Sequence, residues 1–309
     1  MKKRIGFHKS VQGIFTPEYI EHIKRDIVAA TNCDLVEADF RNGVIINNKV
    51  YVGDVCLNDL DVYFWHDTVR PSDWRADNYF CHMLDVMGAD VAVINTGESV
   101  RITNDKFLAH TRLKKAGLPV GDFALIRSGD IDGLHKVFDT FGGDVLLKPR
   151  FGGWGIGIMR FDKFDELQSC IEYVQGFSGA KQQFLVEKYY QNDLSRWISV
   201  VVCNGRALFG YRKPLLSDEV DWKIYDPLKQ DGRGQKTVPA PVSEELAHIA
   251  VKAQQAIGKD IIGFDFIATD EGYKIIDENG RPGLYKHCLD AVGVDMSDEI
   301  VELIKSKLK

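Results

Sequence analysis

Apolar residues open the chain at Ile5-Gly6-Phe7 and return in short runs at Val62-Tyr63-Phe64-Trp65 and Val91-Ala92-Val93-Ile94, each about the length of a buried strand. Between the first two runs, Thr16-Pro17 sets an N-cap hydroxyl before a proline at the first helical position, and Ile20, Ile23, Ile27 and Val28 follow at helical spacing. Strand, helix and strand in alternation predict an open parallel sheet, an α/β unit over residues 1–95. Thr103 is then expected to cap a helix through Asp105, Lys106, Phe107 and Leu113 that ends at Gly117 with Pro119 beyond.

The remainder, residues 96–309, changes character. Leu134, Val137, Phe138 and Phe141 form a helical stripe ended by Gly142-Gly143, and Val145-Leu146-Leu147-Lys148 reads as a strand. A second stripe at Leu167, Cys170, Ile171 and Val174 precedes the strand Phe184-Leu185-Val186-Glu187. These elements predict a small α+β layer over residues 124–187 with the dimensions of a lid. Beyond it, Trp197 to Val202 and Ala207 to Tyr211 flank Cys203-Asn204-Gly205-Arg206, where Asn-Gly signals a hairpin. Ser243 caps a helix with Glu244 and Glu245 in its first turn, Leu246, Ile249, Ala250, Ala253 and Ile257 facing inward, and Gly258 as its stop. Strands at Ile261 to Ile267 and Tyr273 to Asp277 follow, and Ser297 opens a last helix carrying Ile300, Val301, Ile304 and Leu308.

Composition narrows the classes. With 309 residues, 45% hydrophobic and 27% charged, the chain is long and apolar enough for more than one packed core, which excludes a disordered or mini-protein scaffold. A net charge of -6 provides no cationic field for nucleic acid or an anionic membrane, so any phosphate must be held locally. The six cysteines include no CxxC pair and favour reduced thiols, and no apolar run approaches ~18 residues. A cytoplasmic protein acting on small molecules is expected, with no nucleic-acid or membrane partner; a homo-oligomer is left open.

Two segments carry chemistry. Lys148-Pro149-Arg150-Phe151-Gly152-Gly153-Trp154-Gly155-Ile156-Gly157 places a lysine at a strand end before four glycines, which lets backbone N–H groups approach an anion beside a point charge. The same loop also suits a plain hairpin turn, and neither a P-loop nor a GxGxxG pattern is present. In Gly263-Phe264-Asp265-Phe266-Ile267 a carboxylate interrupts an apolar strand, and Asp277-Glu278-Asn279 ends the next one. Residues two apart share a strand face, so Asp277 and Asn279 can meet Asp265 in an oxygen cluster of the hardness Mg²⁺ prefers, with Glu278 on the other face. The alternative is that Asp277 and Asn279 open the turn to Gly283 and Asp265 pairs with a base.

Taken in order, these pieces resemble the ATP-grasp superfamily, and within it the branch containing glutathione synthetase and the ribosomal-protein glutamate ligase. The resemblance runs from Asn95 to the C-terminus through Asn104-Asp105-Lys106, Leu147-Lys148-Pro149, Leu185-Val186-Glu187-Lys188-Tyr189-Tyr190, Asp193 to Arg196, Arg212, Gly263-Phe264-Asp265 and Asp277-Glu278-Asn279-Gly280-Arg281-Pro282-Gly283. It implies an ATP-grasp fold: an amino-terminal open α/β domain, a small α+β lid and a C-terminal α+β domain. It further implies ATP held by Lys106, Lys148, Gly152, Gly153, Gly155, Glu187, Lys188, Tyr189, Tyr190 and Asp193. Magnesium is implied on Asp265, Asp277 and Asn279, with Lys148 and Arg212 as catalytic residues and Arg212 over the transferring phosphate. The implied reaction is amide formation between a carboxylate and an amine through an acyl phosphate; a phosphotransferase is the alternative. The metal motif, more often Glu-x-Asn, here begins with Asp277, and Asp193-Leu194-Ser195-Arg196 is one residue longer than the usual Asp-x-Arg. Arg281 stands where relatives place a small hydroxyl residue, and its fork suits a substrate carboxylate, with Lys286 nearby. Arg196 and Arg70, the latter beyond the strand ending at Trp65, complete the candidate substrate contacts.

Overall fold

The computed structural model describes residues 2–66, 78–127, 129–153, 155–178, 183–213 and 237–308. Arg70 and Trp154 lie outside the described residues.

The first elements in chain order are β1 (Arg4–His8), α1 (Pro17–Thr31) and β2 (Asp34–Glu37), then β3 (Val44–Ile46), β4 (Lys49–Val52) and β5 (Val55–Cys56). β6 (Val62–Trp65), α2 (Tyr79–Gly88) and β7 (Ala92–Ile94) follow. β2, β1, β6 and β7 lie side by side in that order, all parallel, as the alternation predicts. The Thr16 hydroxyl accepts from the Tyr19 N–H and Pro17 opens α1, so the local signal sets the helix start. β3 to β5 form a small antiparallel sheet that the sequence reading passes over.

α3 (Gly97–Asn104) and α4 (Lys106–Lys115) come next. Here the expected cap is corrected. Thr103 lies inside α3, where its hydroxyl donates to the Ser99 carbonyl at 2.9 Å, and the N-cap of α4 is Asp105, whose carboxylate accepts from the N–H groups of Phe107 and Leu108. Thr96 already caps α3, so the chain is helical when it reaches Thr103, and a carboxylate two residues on breaks and restarts it.

β8 (Phe123–Ile126), α5 (Ile131–Thr140), β9 (Val145–Pro149), β10 (Met159–Phe161), α6 (Phe164–Ser178) and β11 (Phe184–Lys188) make the small α+β layer. Its antiparallel sheet has the order β10-β9-β11-β8, and Leu134, Phe138, Leu167 and Ile171 from the two helices pack on Val145, Leu147 and Val186. The last part comprises β12 (Ile198–Cys203), β13 (Arg206–Arg212), β14 (Val238–Ala240), α7 (Glu244–Ile257), β15 (Ile261–Thr269), β16 (Gly272–Asn279), α8 (Lys286–Val292) and α9 (Met296–Lys307). Its antiparallel sheet runs β14-β13-β12-β15-β16, with Asn204 and Gly205 both at positive φ in the predicted hairpin. α7 has the expected Ser243 cap and left-handed Gly258 stop. α9 is capped two residues earlier than expected: Asp295 is its cap, and Ser297 sits inside the helix with its hydroxyl donating to Asp26 at 2.6 Å.

The cores cross the boundary at residue 95. Ile300, Leu303 and Ile304 of α9 join Ile23 and Ile27 of α1 and Ile5, Phe7 and Phe64 of the parallel sheet in one buried cluster. Ala109 and Leu113 of α4 are buried with Ala250, Ala253, Phe264 and Phe266, which fixes α4 to the last sheet. The first turn of α4 is thereby held beside the last sheet.

Candidate active site

The pairing of β15 with β16 sets the register on which the site depends. Asp265 lies directly opposite Asp277 and Gly263 opposite Asn279, so three oxygen-bearing side chains emerge together. A bulge follows between Asp265 and Phe266, and on that stretch the Ile276 carbonyl accepts from Lys148 Nζ at 3.2 Å. Asn279 Nδ2 donates to Asp265 Oδ1 at 3.3 Å, and the Ser199 hydroxyl of β12 donates to the same oxygen at 2.5 Å. Glu278 does not join this group; its carboxylate lies fully buried, 3.4 Å from His110 Nδ1.

Three lysines converge on the carboxylates. Lys106, the first residue of α4, lies 2.5 Å from Asp277; Lys148, at the end of β9, lies 2.6 Å from Glu187 on β11; and Lys213 lies 2.8 Å from Asp265. Burial disfavours the charge on Lys106 and Lys213, but the neighbouring carboxylates outweigh it and raise both pKa values. Burial likewise opposes ionisation of Glu187, yet Lys148 and His110 hold its pKa down at about 2, and Asp277 is lowered against burial by Lys106. Glu278 is the exception, pushed up by burial.

The glycine loop is anchored to the same helix start. Arg150 makes an ion pair with the Asp105 cap at 2.6 Å, and the Lys106 N–H donates to the Arg150 carbonyl. Gly152 and Gly155 take φ values of 131° and 70°, which side chains disfavour. Around the strand end after β11, the Tyr189 N–H donates to the Asp144 carbonyl, and the Arg160 guanidinium stacks 3.7 Å from the Tyr189 ring centroid. The Tyr190 hydroxyl donates to Asp122, and the Lys188 ammonium lies over the Tyr190 ring.

Other sequence candidates stand apart from this cluster. Arg212 is exposed at the end of β13, and its neighbour Lys213, absent from the sequence reading, is the residue that reaches Asp265. Strand alternation was the available signal, since Tyr211 is buried and Arg212 points out. Asp193 caps a short turn through Ser195, Arg196 packs its guanidinium on Tyr273, and Lys286 pairs with Asp290 on the surface of α8. Arg281 is half-buried in the turn that follows Asn279. His110 was also missed, because nothing in its local sequence marks it.

Among the described residues no three His, Cys, Asp or Glu side chains form a metal-ligating group. The oxygen set of Asp265, Asp277 and Asn279 nevertheless suits a hard divalent cation, and Lys106 and Lys213 already place positive charge on its two carboxylates.

Residues 103–304 match the family model described as a RimK-like ATP-grasp domain. The chain belongs to the RimK-like ATP-grasp family. Its curated relatives include the Glutamate--LysW ligase ArgX of Sulfolobus acidocaldarius, 23% identical over 77% of this chain and 80% of that protein. Another is the tetrahydromethanopterin:alpha-L-glutamate ligase of Methanocaldococcus jannaschii, 25% identical over 92% of this chain and 98% of that one. Among solved structures, the ATP-grasp ligase PsnB with a minimal precursor superposes with a TM-score of 0.65 at 14% identity, covering 99% of both chains. D-alanyl-alanine synthetase A of Vibrio cholerae gives 0.65 at 14% identity, covering 99% of this chain and 98% of that one. The fold is ATP-grasp, and this RimK-like protein is an ATP-dependent ligase that forms C–N bonds. No helix of the described residues is long and apolar enough to cross a membrane.

Proposed function

We propose that this ligase joins the amine of L-glutamate, or of a closely similar amino acid, to a carboxylate activated by ATP as an acyl phosphate. The observation that carries the reading is the convergence of Lys106, Lys148 and Lys213 on Asp277, Glu187 and Asp265 where two antiparallel sheets meet. The glutamate comes from the relatives named above.

A carboxylate is a poor electrophile, so its oxygen first attacks the γ-phosphorus and ADP leaves; the amine then adds to the acyl carbon and phosphate departs with the lost proton taken up by solvent. Phosphoryl transfer spreads negative charge over the phosphate oxygens, and preorganised cations lower its barrier. Lys106, Lys148 and Lys213 supply that charge on flexible stems already drawn into the site. Gly152, Gly153 and Gly155 allow backbone N–H groups close to the phosphates, and Glu187 with the strand end at Lys188, Tyr189 and Tyr190 lines the base. Asp265, Asp277 and Asn279 would hold Mg²⁺, which neutralises phosphate charge when bound. Water competes for an acyl phosphate, and the layer of β8 to β11 with α5 and α6, over residues 124–187, serves as the lid that excludes it. Arg281 holds a carboxylate of the amino-acid substrate.

The test incubates the protein with ATP, Mg²⁺, L-glutamate and a panel of carboxylic acids and peptides, reading ADP and product mass. The expected product weighs the sum of acid and glutamate less one water, formed one for one with ADP. ADP release that depends on another amine and not on glutamate overturns the substrate assignment. A product carrying a phosphoryl group points to phosphotransfer instead.

A further inference from the structure

α4 brings a second ionisable residue into the interior one turn after Lys106. His110 is 1% exposed, with Nε2 3.4 Å from Glu187 Oε1 on β11 and Nδ1 3.4 Å from Glu278 Oε2 on β16. Phe123 closes the edge of its ring. At these separations the ring nitrogens, Glu187 Oε1 and both Glu278 oxygens make no hydrogen bond among the described residues. Buried polar groups are seldom left this way, and a small contraction would satisfy them. The charges act across the gap: burial opposes the imidazolium, but Glu187 and Glu278 raise its pKa to about 9.

Each lysine of the site is paired with one carboxylate: Lys106 with Asp277, Lys213 with Asp265, and Lys148 with Glu187. A bound nucleotide draws on all three lysines. Asp277 and Asp265 belong to the oxygen set suited to a divalent cation and regain a counter-charge from it. Glu187 is 5% exposed, lies on the other sheet and has no such replacement. An uncompensated buried carboxylate would take up a proton or lose its place in the site. Among the described residues His110 is the side chain placed to prevent this, braced from its other nitrogen by Glu278.

We infer that His110 is a positioning residue, the counter-charge that keeps Glu187 ionised and fixed when nucleotide phosphates take Lys148 from it. The inference rests on the proposed phosphate role of Lys148. It gives the base end and the phosphate end of the nucleotide a shared dependence on a side chain that touches neither.

A crystal structure of the wild-type protein with Mg²⁺ and a non-hydrolysable ATP analogue tests both readings. The expected result has Lys148 on a phosphate oxygen, its distance to Glu187 beyond ion pairing, and His110 drawn to Glu187 at a hydrogen-bonding ~2.8 Å. Lys148 on phosphate with His110 still 3.4 Å or more from Glu187 overturns the inference alone. No phosphate at Lys148 overturns the site reading and the inference with it. Calorimetry with the same analogue gives a second measurement. His110→Gln is expected to weaken binding at least tenfold while leaving the KM values of acid and amine within about twofold, and to cost less than about threefold when Glu187→Gln is already present. Equal losses in both backgrounds would assign His110 to structural support only. Should His110→Gln not fold, the wild-type complex decides.

Discussion

Lys106 Nζ lies 2.5 Å from Asp277 Oδ1, which ties the first residue of α4 to the end of β16. The position of Lys106 is set by the helix start, the helix start by the Asp105 cap, and Asp105 in turn grips Arg150 of the glycine loop. One capping residue thus sets the placement of the loop and of the lysine, while the pairing of β15 with β16 places the carboxylate that the lysine meets. The pair is a partly buried ion pair whose net worth to the fold is small, since desolvation offsets attraction. Its value is that positive charge is already directed at the place where phosphate and a divalent cation are proposed to bind.

Asp277→Asn keeps the shape and removes the charge. The variant is expected to fold as the parent does, by circular dichroism, and to lose ADP release by at least ~10², the scale of losing a preorganised electrostatic contact in phosphoryl transfer. Turnover within tenfold of the parent would take Asp277 out of the site and turn attention to Glu278.

Arg212 and Lys213 are adjacent and face different surroundings. Arg212 is exposed, whereas Lys213 reaches Asp265 at 2.8 Å. Lys213→Ala should lower kcat for ADP formation by more than about tenfold, while Arg212→Ala stays within about threefold, because a screened surface charge contributes little to a transition state. The reverse ranking in steady-state assays would restore Arg212 to the phosphate.

Much of this architecture was legible because its signals are local. Ser243 and Gly258 bound α7, and Asn204-Gly205 turns the hairpin, each through the conformation that its own residues prefer. The meeting of Asp265, Asp277 and Asn279 was legible for a related reason, since period-two alternation on paired strands leaves few alternatives. The start of α4 was misread because Thr103 and Asp105 are both competent caps, and only the helix already begun at Thr96 decides between them. His110 and Lys213 were illegible for a different reason. What gives each its role is a partner far along the chain, Glu187 and Glu278 for one and Asp265 for the other.

Arg281 follows β16 by two residues and is the proposed anchor for a substrate carboxylate. Its fork binds a carboxylate through two parallel N–H groups, which a lysine cannot imitate. Arg281→Lys is expected to raise KM for the amino-acid substrate more than tenfold, about 1.4 kcal/mol, with the Kd for ATP unchanged within about twofold. A normal KM for every substrate in Arg281→Ala would end this assignment.

Lys259 presents the opposite case, a buried lysine with no ion-pair partner among the described residues. It is 4% exposed, its ammonium stands 5.9 Å from the Trp65 ring centroid, and it has no hydrogen-bond or ion-pair partner among the described residues. The neighbouring Asp260 is engaged by Lys307 at 2.7 Å. Burial lowers the Lys259 pKa from 10.5 to about 8, against weaker support from Asp260 and Cys81. At pH 7 the folded chain must therefore keep a proton it holds poorly, while the unfolded lysine keeps its own easily, so the charge costs stability. Between about 8 and 10.5 the unfolded state binds more protons, and stability contributed by this group rises with pH until the cost is gone. Lys259→Met, which retains length and removes the charge, is expected to stabilise the fold by about 3 kcal/mol at pH 7 in urea unfolding. The gain over the parent should shrink steadily as the same comparison is carried to pH 10.5. A variant less stable than the parent at pH 7 would mean that the lysine is compensated, and a gain independent of pH would mean that packing, rather than charge, is what the substitution relieves.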